Sequence, residues 1–362
     1  MALTYATYDA WTTQFWAQRK VQDNIHRSSA FLKAIEPHIR KEMLSKTIDV
    51  PLRYARPGGG GWYNIADQLS NTTGEIGTKA RFGAPAKLQK PILLNNDDVE
   101  LNKGNAIQVA DILEEYTKAC IEDMSETLAL ALLTAQTGAA PYSYLDALGD
   151  GTYGGIAVAD MPKWRSFIIE PAYSGATPPD TAPISPSLKN LEKALILHEL
   201  ICGRKVDLIV TTPAMWMCYY DQINLKLNIN TTPTGTMLVK YGFNAFEVLG
   251  VPVIADTRVY SEAFVADSAN RAAACGHQVL GINQETVYPI VHATRSYAWR
   301  KKGWSDLDDF DKVLNRLYWW GHVICNERRA NFRMFGLDPT QSAGSYTQFD
   351  EATMSNWAIL TA

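Results

Sequence analysis

No stretch of this sequence is apolar for long enough to cross a membrane. The longest such run, near residues 127–135, falls far short of the ~18 residues a spanning helix needs. The opening MALTYATYDAWTTQ lacks the basic start and apolar centre of a secretory signal. Cysteine is sparse. Cys120, Cys202, Cys218, Cys275 and Cys325 are odd in number and show no paired spacing, which reads as reduced thiols in a cytosol. The net charge of −4 argues against a chain coated in nucleic acid. The six histidines lie far apart, no Gly-x-Ser-x-Gly elbow occurs, and no set of His, Cys and carboxylate reads as a triad. Asn71-Thr72-Thr73 and Asn230-Thr231-Thr232 match a glycosylation sequon, a pattern short enough to arise by chance. Nothing in the residues points to an enzyme, a cofactor, a metal or a membrane.

What is present is enough for a large core. Of 362 residues, 46% are hydrophobic and 20% charged, which fits two domains or one large one. Residues 1–46 read as a polar arm with helical stretches, and Arg19–Lys46 carries seven basic residues against three acidic ones. Residues 47–103 differ in texture. Thr47–Tyr54 alternates as a strand with a proline-limited edge, Lys87–Leu94 reads as a second extended stretch, and a polar, Gly-rich middle separates them. This predicts a long hairpin excursion with too few apolar residues for a core of its own.

The next segment, 104–137, is the clearest helix. Val109, Leu113, Tyr116, Cys120, Met124, Leu128, Ala131 and Ala135 recur at steps of three and four, and Gly138 is a natural stop. Six acidic residues there, among them Glu114, Glu115, Glu122 and Glu126, face one lysine. Residues 138–186 are loop-rich, and an α/β alternation follows. Ser187 is placed to cap a helix ended by Gly203, Val206–Val210 reads as a buried strand, and Thr212-Pro213 starts a second helix through Ile223. Phe246–Ala255 reads as short strands about a turn, and Val279–Arg333 is mostly strand-like and rich in aromatics.

Four motifs invite a chemical reading. The run Arg56-Pro57-Gly58-Gly59-Gly60-Gly61-Trp62 lacks the Gly-Lys-Ser/Thr ending of a phosphate loop and no strong helix follows, so a flexible bend is favoured. His198-Glu199-Leu200-Ile201-Cys202 is a near miss for a zinc helix, with no further ligands nearby, and reads as a core helix. Asp306–Asp311 has Phe310 where a calcium loop needs an oxygen and Asp311 where it needs glycine, so it reads as a solvated acidic turn. Glu327–Arg333, ERRANFR, mixes arginines with an aromatic as a phosphate-contacting strip would, but reads better as a strand ending a sheet.

Taken in order, these parts resemble the major capsid protein of tailed bacteriophages, the Hong Kong ninety-seven phage-type shell fold. The resemblance runs through the arm, the loop at 47–103, the long helix and GDGTYGGIAVADMPKWR at 149–165. It continues through SLKNLEKALILHELICGRKVDLIVTTPAMW at 187–216, FEVLGVPVIAD at 246–256 and VLGINQETVYPIVH at 279–292, and it ends with GHVICNERRANFRMFGL at 321–337.

The resemblance implies an α+β chain with an N-terminal arm (1–46), an extended E-loop (47–103), a peripheral P domain with the spine helix and a sheet (104–148 and 279–337), an axial A domain (149–278) and a C-terminal tail (338–362). It also implies a structural protein that forms pentamers and hexamers in an icosahedral head around double-stranded DNA, assembled in the bacterial cytoplasm. Portal, scaffolding and decoration proteins, and non-specific contact with packaged DNA, come with that reading. The chain starts at Met1 with no spare domain, so a separate scaffolding protein is expected. The loop would reach over a neighbouring subunit. Gly58, Gly59, Gly60 and Gly61 would form its bend and Trp62 an apolar anchor, while Lys79, Arg81, Lys87 and Lys90 would face the acidic spine-helix surface of Glu114, Glu115, Glu122 and Glu126 on that neighbour. The nearest alternative is an encapsulin-like nanocompartment shell, which the long loop disfavours. An α/β enzyme centred on His198 or Cys202 and a nucleic-acid-binding module built on the basic arm are alternatives of other classes.

Overall fold

The computed structural model describes residues 29–42, 45–53, 77–95, 106–169, 186–226, 245–259, 277–299, 305–307 and 310–338. In chain order these form α1 (Ala30–Ile35), β1 (Arg40–Glu42), β2 (Ile48–Arg53), β3 (Gly77–Phe82), β4 (Ala86–Asn95) and the long α2 (Ala106–Leu133). There follow α3 (Tyr144–Ala147), β5 (Phe167–Ile169), α4 (Leu188–Cys202), β6 (Leu208–Thr211), α5 (Pro213–Lys226), β7 (Ala245–Val248), β8 (Val251–Ala255) and β9 (His277–Ile282). The chain closes with β10 (Val287–His292), β11 (Ala298–Trp299), β12 (Ser305–Leu307), β13 (Phe310–Cys325) and β14 (Phe332–Leu337). Two compact groups result. Ser29–Lys87, Ala129–Ser296 and the chain from Trp320 form the larger, while Leu88–Leu128 and Tyr297–Trp319 belong to the smaller.

The larger group contains a sheet in the order β5-β14-β9-β6-β8-β7. Every residue of β6 is buried, as expected of a strand covered on both faces. The strands β6 and β8 are parallel, with Ile209 beside Val253, so the chain between them must cross over the sheet, and it does so through α5. Helices α4 and α5 put Leu191, Leu195, Met215, Trp216 and Tyr219 into one core with Ile209, Val253, Val279, Phe332 and Met334. Burying each such side chain is worth about 1.5–3 kcal/mol relative to leaving it in water.

Helix α4 begins and ends where the sequence places its caps, by a different device at the start. Gly203 takes the left-handed conformation at φ 68° and its N–H bonds the Glu199 carbonyl. Ser187 stands at the N-cap without a side-chain cap hydrogen bond, and Gln222 of α5 supplies the acceptor instead, its Oε1 receiving the Leu188 N–H at 2.8 Å. At the start of α5 the Thr212 hydroxyl accepts the Met215 N–H at 3.5 Å.

The sequence pattern places the partner of β2 at 87–94, and the structure corrects this. Strand β2 pairs antiparallel with β3, from Ile48 opposite Phe82 to Arg53 opposite Gly77, and β4 pairs with β13. Alternation in β3 is carried by two residues only, Ala80 and Phe82, too short a signal to stand out. The strands read together at 279–333 divide between sheets. Strands β9 and β14 join the sheet of β6, while β10 pairs with β1 and with residues 321–325 of β13. In the smaller group β11 and β12 pair with residues 310–318 of β13.

Helix α2 stops at Leu133, short of Gly138. Met124 and Leu128 are buried as the periodicity predicts, and Ala129, Leu132 and Leu133 share that burial, whereas Ala135 lies beyond the helix and is exposed. Of the described residues, no helix is long and apolar enough to cross a membrane.

Candidate assembly site at the base of a long loop

Strands β2 and β3, which flank residues 54–76 in the chain, pair with each other. One face is apolar: Val50, Leu52, Ala80 and Phe82 are buried. The other carries charge. Asp49 receives Lys79 Nζ at 2.8 Å and Arg81 Nε at 2.9 Å, with Arg81 Nη2 at 3.1 Å. Arg81 first, and Lys79 second, hold the Asp49 carboxyl far below the usual carboxylate range. All three groups are open to water, so the cluster fixes geometry more than it adds stability.

The apolar face is held by the loop from Gly149 to Arg165. Its Gly154 carbonyl accepts the Arg81 N–H at 2.7 Å, which continues the pairing of β3 by one further contact. Gly154 has φ +60°, and a Cβ there would lie 2.8 Å from Ala80 Cβ and 3.1 Å from the Phe82 ring. Only glycine combines that backbone with so close an approach. Phe82, Tyr142 and Tyr153 meet edge to face with centroids 5.1–5.5 Å apart. The Tyr153 hydroxyl donates to the Val323 carbonyl at 3.0 Å, and the Trp164 indole N–H donates to the Tyr153 carbonyl at 3.0 Å.

Arg328 fixes the loop itself. It is 1% exposed, and its guanidinium donates to five carbonyls, those of Ala147, Gly151, Trp164, Asp146 and Gly149, at 2.5–3.0 Å. Burial pushes the Arg328 pKa down, but a guanidinium with this many partners stays charged. The five carbonyl dipoles stand in for the water it has lost.

The base is completed by His322, whose imidazole joins the turn after β3 to the segment before α3. Its Nε2–H donates to the Ala84 carbonyl at 2.8 Å and its Nδ1 accepts the Tyr142 N–H at 3.3 Å.

Several site residues named from the sequence are placed by these contacts. Lys79 and Arg81 share Asp49, Lys87 lies 4.9 Å over the Trp320 ring, and Lys90 forms an ion pair with Asp123 of α2. Glu122 is exposed on α2, and Glu126 is half-buried. Glu114 and Glu115 belong to the same helix, where only the backbone is described. Gly58, Gly59, Gly60, Gly61 and Trp62 lie outside the described residues, as does the chain beyond Asp338. The structure therefore brings the basic residues to partners within the chain, and Lys90 to the acidic helix of its own subunit.

The motifs weighed for chemistry take other roles. His198 is 1% exposed between the rings of Phe167 and Phe332, and its Nε2 bonds the Arg329 carbonyl at 3.2 Å. Burial pushes its pKa down to about 4 and that of the Cys202 thiol up to about 11. Among the described residues no group of three or more His, Cys, Asp or Glu side chains is placed to hold a metal ion. The ERRANFR strip is a short 3-10 turn, Arg328–Ala330, followed by β14. Arg328 faces inward, Arg329 approaches Glu327, and Arg333 bonds Gln278 Oε1 at 3.2 Å. Sequence reasoning missed Asp49, Gly154, His322 and Arg328. The paired glycines at 154–155 were a usable signal, whereas an arginine beside another arginine gives no sign of which one is buried.

No protein-family model matches the chain, and no curated protein matches it either. Solved structures do. The chain is similar to the capsid protein in the cyanophage A-1(L) asymmetric unit, at 14% identity and TM-score 0.62, over 88% of this chain and 95% of that one. It is similar to the capsid protein of a native GTA particle at 12% identity and TM-score 0.55, over 88% and 94%. It also matches the capsid of Myoviridae phage XM1 at 11% identity and TM-score 0.50, over 88% and 96%. The chain has the fold of phage capsid proteins, the Hong Kong ninety-seven type that its ordered motifs resemble.

Proposed function

We propose that this chain is the shell-forming subunit of an icosahedral phage-type head, assembling as pentamers and hexamers around double-stranded DNA in a bacterial cytoplasm. Its work is assembly, not turnover. The observation that carries the reading is the capsid fold itself, matched over 88% of this chain and 95% of the cyanophage subunit. The domain roles implied by the sequence resemblance are part of the proposal: arm 1–46, loop 47–103, peripheral domain 104–148 with 279–337, axial domain 149–278 and tail 338–362. Portal, scaffolding and decoration proteins, and non-specific contact with DNA, belong to the same proposal.

A shell of pentamers and hexamers asks one sequence to fit non-equivalent neighbours. Rigid bodies joined by an adjustable arm meet that demand. The pinned base of β2 and β3 supports such an arrangement, because a loop that reaches outward transmits force to whatever holds its root. In this reading the bend at Gly58–Gly61 adapts from one neighbour to the next. The basic residues Lys79, Arg81, Lys87 and Lys90 face the acidic helix surface of the adjacent subunit, including Glu114, Glu115, Glu122 and Glu126. Lys79, Arg81 and Lys87 are exposed, so they remain accessible for that contact even with their intrachain partners.

Negative-stain microscopy of the protein, expressed alone and with a scaffolding protein, tests the proposal. Closed shells, tubes or capsomer rings are expected. A chain that stays monomeric under every condition refutes it.

A further inference from the structure

The His322 imidazole hydrogen-bonds both the turn following β3 and the segment preceding α3. It is 4% exposed. The Ala84 carbonyl only accepts, so Nε2 carries the proton; the Tyr142 N–H only donates, so Nδ1 carries a lone pair. The two contacts together fix one neutral tautomer. The Tyr142 ring lies beside the imidazole, with centroids 5.2 Å apart, and its other neighbours are Phe82 and Tyr153.

A second proton has nowhere to go. It would sit on Nδ1 and point at the Tyr142 N–H, setting two donors against each other. Among the described residues no carboxylate hydrogen-bonds the ring to compensate. The groups beside it are the Ala84 carbonyl from the turn, Lys87 at the start of β4, and Gln136 and the Tyr142 phenol from the segment before α3. Lys87 adds positive charge, and the Asp146 carboxylate of α3 is taken up by the N–H groups of Gln136 and Ser143. Burial accordingly pushes the His322 pKa down, with the bond to Ala84 raising it in part.

There is also room for a response. A cavity of about 290 Å³ lies beside the ring, lined by Gly83–Lys87, Gln136, Gly138–Ala140, Tyr142 and His322. The turn 83–85 borders this space on one side, and so can move into it without breaking a packed core.

We propose that His322 is a proton-released latch: neutral, it ties the turn at Gly83–Pro85 to Tyr142, and protonated, it frees that turn and with it the base of the long loop. The turn links β3 to β4, so release changes how rigidly the loop root is held. The consequence for assembly rests on the capsid reading above, in which that loop reaches a neighbouring subunit; the latch itself does not.

The test is made on the full chain with ¹⁵N-labelled histidine and, separately, with ¹⁵N-labelled backbone. Imidazole two-bond correlations at neutral pH should show the Nε2–H tautomer for His322, titrating below the ordinary histidine value. The Tyr142 amide reports the latch directly. Corrected for intrinsic exchange, its protection should fall by up to about tenfold per pH unit below 6.5, because one proton is taken up on opening. The amide of Ile209 in the central sheet should be unaffected. His322→Gln keeps a donor for Ala84 and an acceptor for Tyr142 without titrating, and should make Tyr142 protection independent of pH. A His322 that titrates at or above its ordinary value, or an Nδ1–H tautomer, overturns the proposal. So does Tyr142 protection that ignores pH in the wild type, or that falls equally in His322→Gln. These readings need no particle. Failure to form shells at neutral pH would refute the capsid reading and leave the latch standing.

Discussion

Gly154 and Ala80 approach so closely that a Cβ on the glycine would stand 2.8 Å from the alanine Cβ. The contact presses the loop after α3 against β3, and it is made at a φ of +60°. Gly154→Ala is expected to lower stability by about 2–3 kcal/mol, from overpacking together with the left-handed backbone. Gly151, three residues earlier, meets nothing within 4 Å. Gly151→Ala should stay within about 0.5 kcal/mol of the wild type. Urea midpoints of the two variants make the comparison, and equal midpoints would show that the approach carries no weight.

Arg328 holds five carbonyls, two at the end of α3 and three in the loop that follows it. Arg328→Met removes every donor at once and leaves those acceptors dry, at a cost of about 3–5 kcal/mol. Arg328→Lys keeps the charge with three donors on one nitrogen, and should fall between the two. Chemical denaturation gives the ranking. A methionine variant as stable as the wild type would mean that water takes over the five carbonyls.

Acid should destabilise the sheet-and-helix core through His198. Its pKa is about 4 in the folded chain, below the ordinary 6.5, because burial disfavours the charged ring. The sign follows from that depression: the contribution is complete above pH 6.5 and is lost as pH falls through that value toward 4. The loss amounts to at most about 3 kcal/mol. His198→Gln should flatten unfolding free energy against pH in this window, leaving only the part due to other groups such as His322. A profile unchanged by the substitution would assign the acid sensitivity elsewhere.

The charges at the loop base allow a test of contacts between subunits. Asp49→Asn releases Lys79 and Arg81 from their intrachain partner. All three are exposed, so the urea midpoint should barely move. In the proposed shell, assembly should become more sensitive to salt, as freed cations meet an acidic neighbour. Neutralising Lys79, Arg81, Lys87 and Lys90 together should reduce particle yield. Light scattering at low and high ionic strength reads both effects, and normal particles from the fourfold variant would remove these residues from the interface.

Replacing Gly58, Gly59, Gly60 and Gly61 by alanine tests the bend. The subunit should fold with an unchanged circular dichroism spectrum, while the particles become heterogeneous in electron micrographs. Uniform icosahedral shells from that variant would rule out a hinge at the glycines.

The sequence by itself determined what depends on neighbours along the chain. The repeat that runs from Val109 through Met124 and Leu128 wrote the long helix, Gly203 stopped α4 by taking a conformation that other residues resist, and Thr212-Pro213 opened α5. The order and spacing of these parts carried the resemblance to a capsid fold. Tertiary structure decided what depends on partners far away in the chain. Strand β2 chose Gly77–Phe82 over the more obvious apolar stretch at 86–95, because pairing is settled by which edges meet, and a period of two over six residues is a weak code. Arg328 and Arg329 are indistinguishable in a string of letters; only the fold puts five carbonyls around one and leaves the other beside Glu327. His322 acquires its tautomer from Ala84 and Tyr142, 238 and 180 residues away, so its proton chemistry exists only once the chain has closed around it.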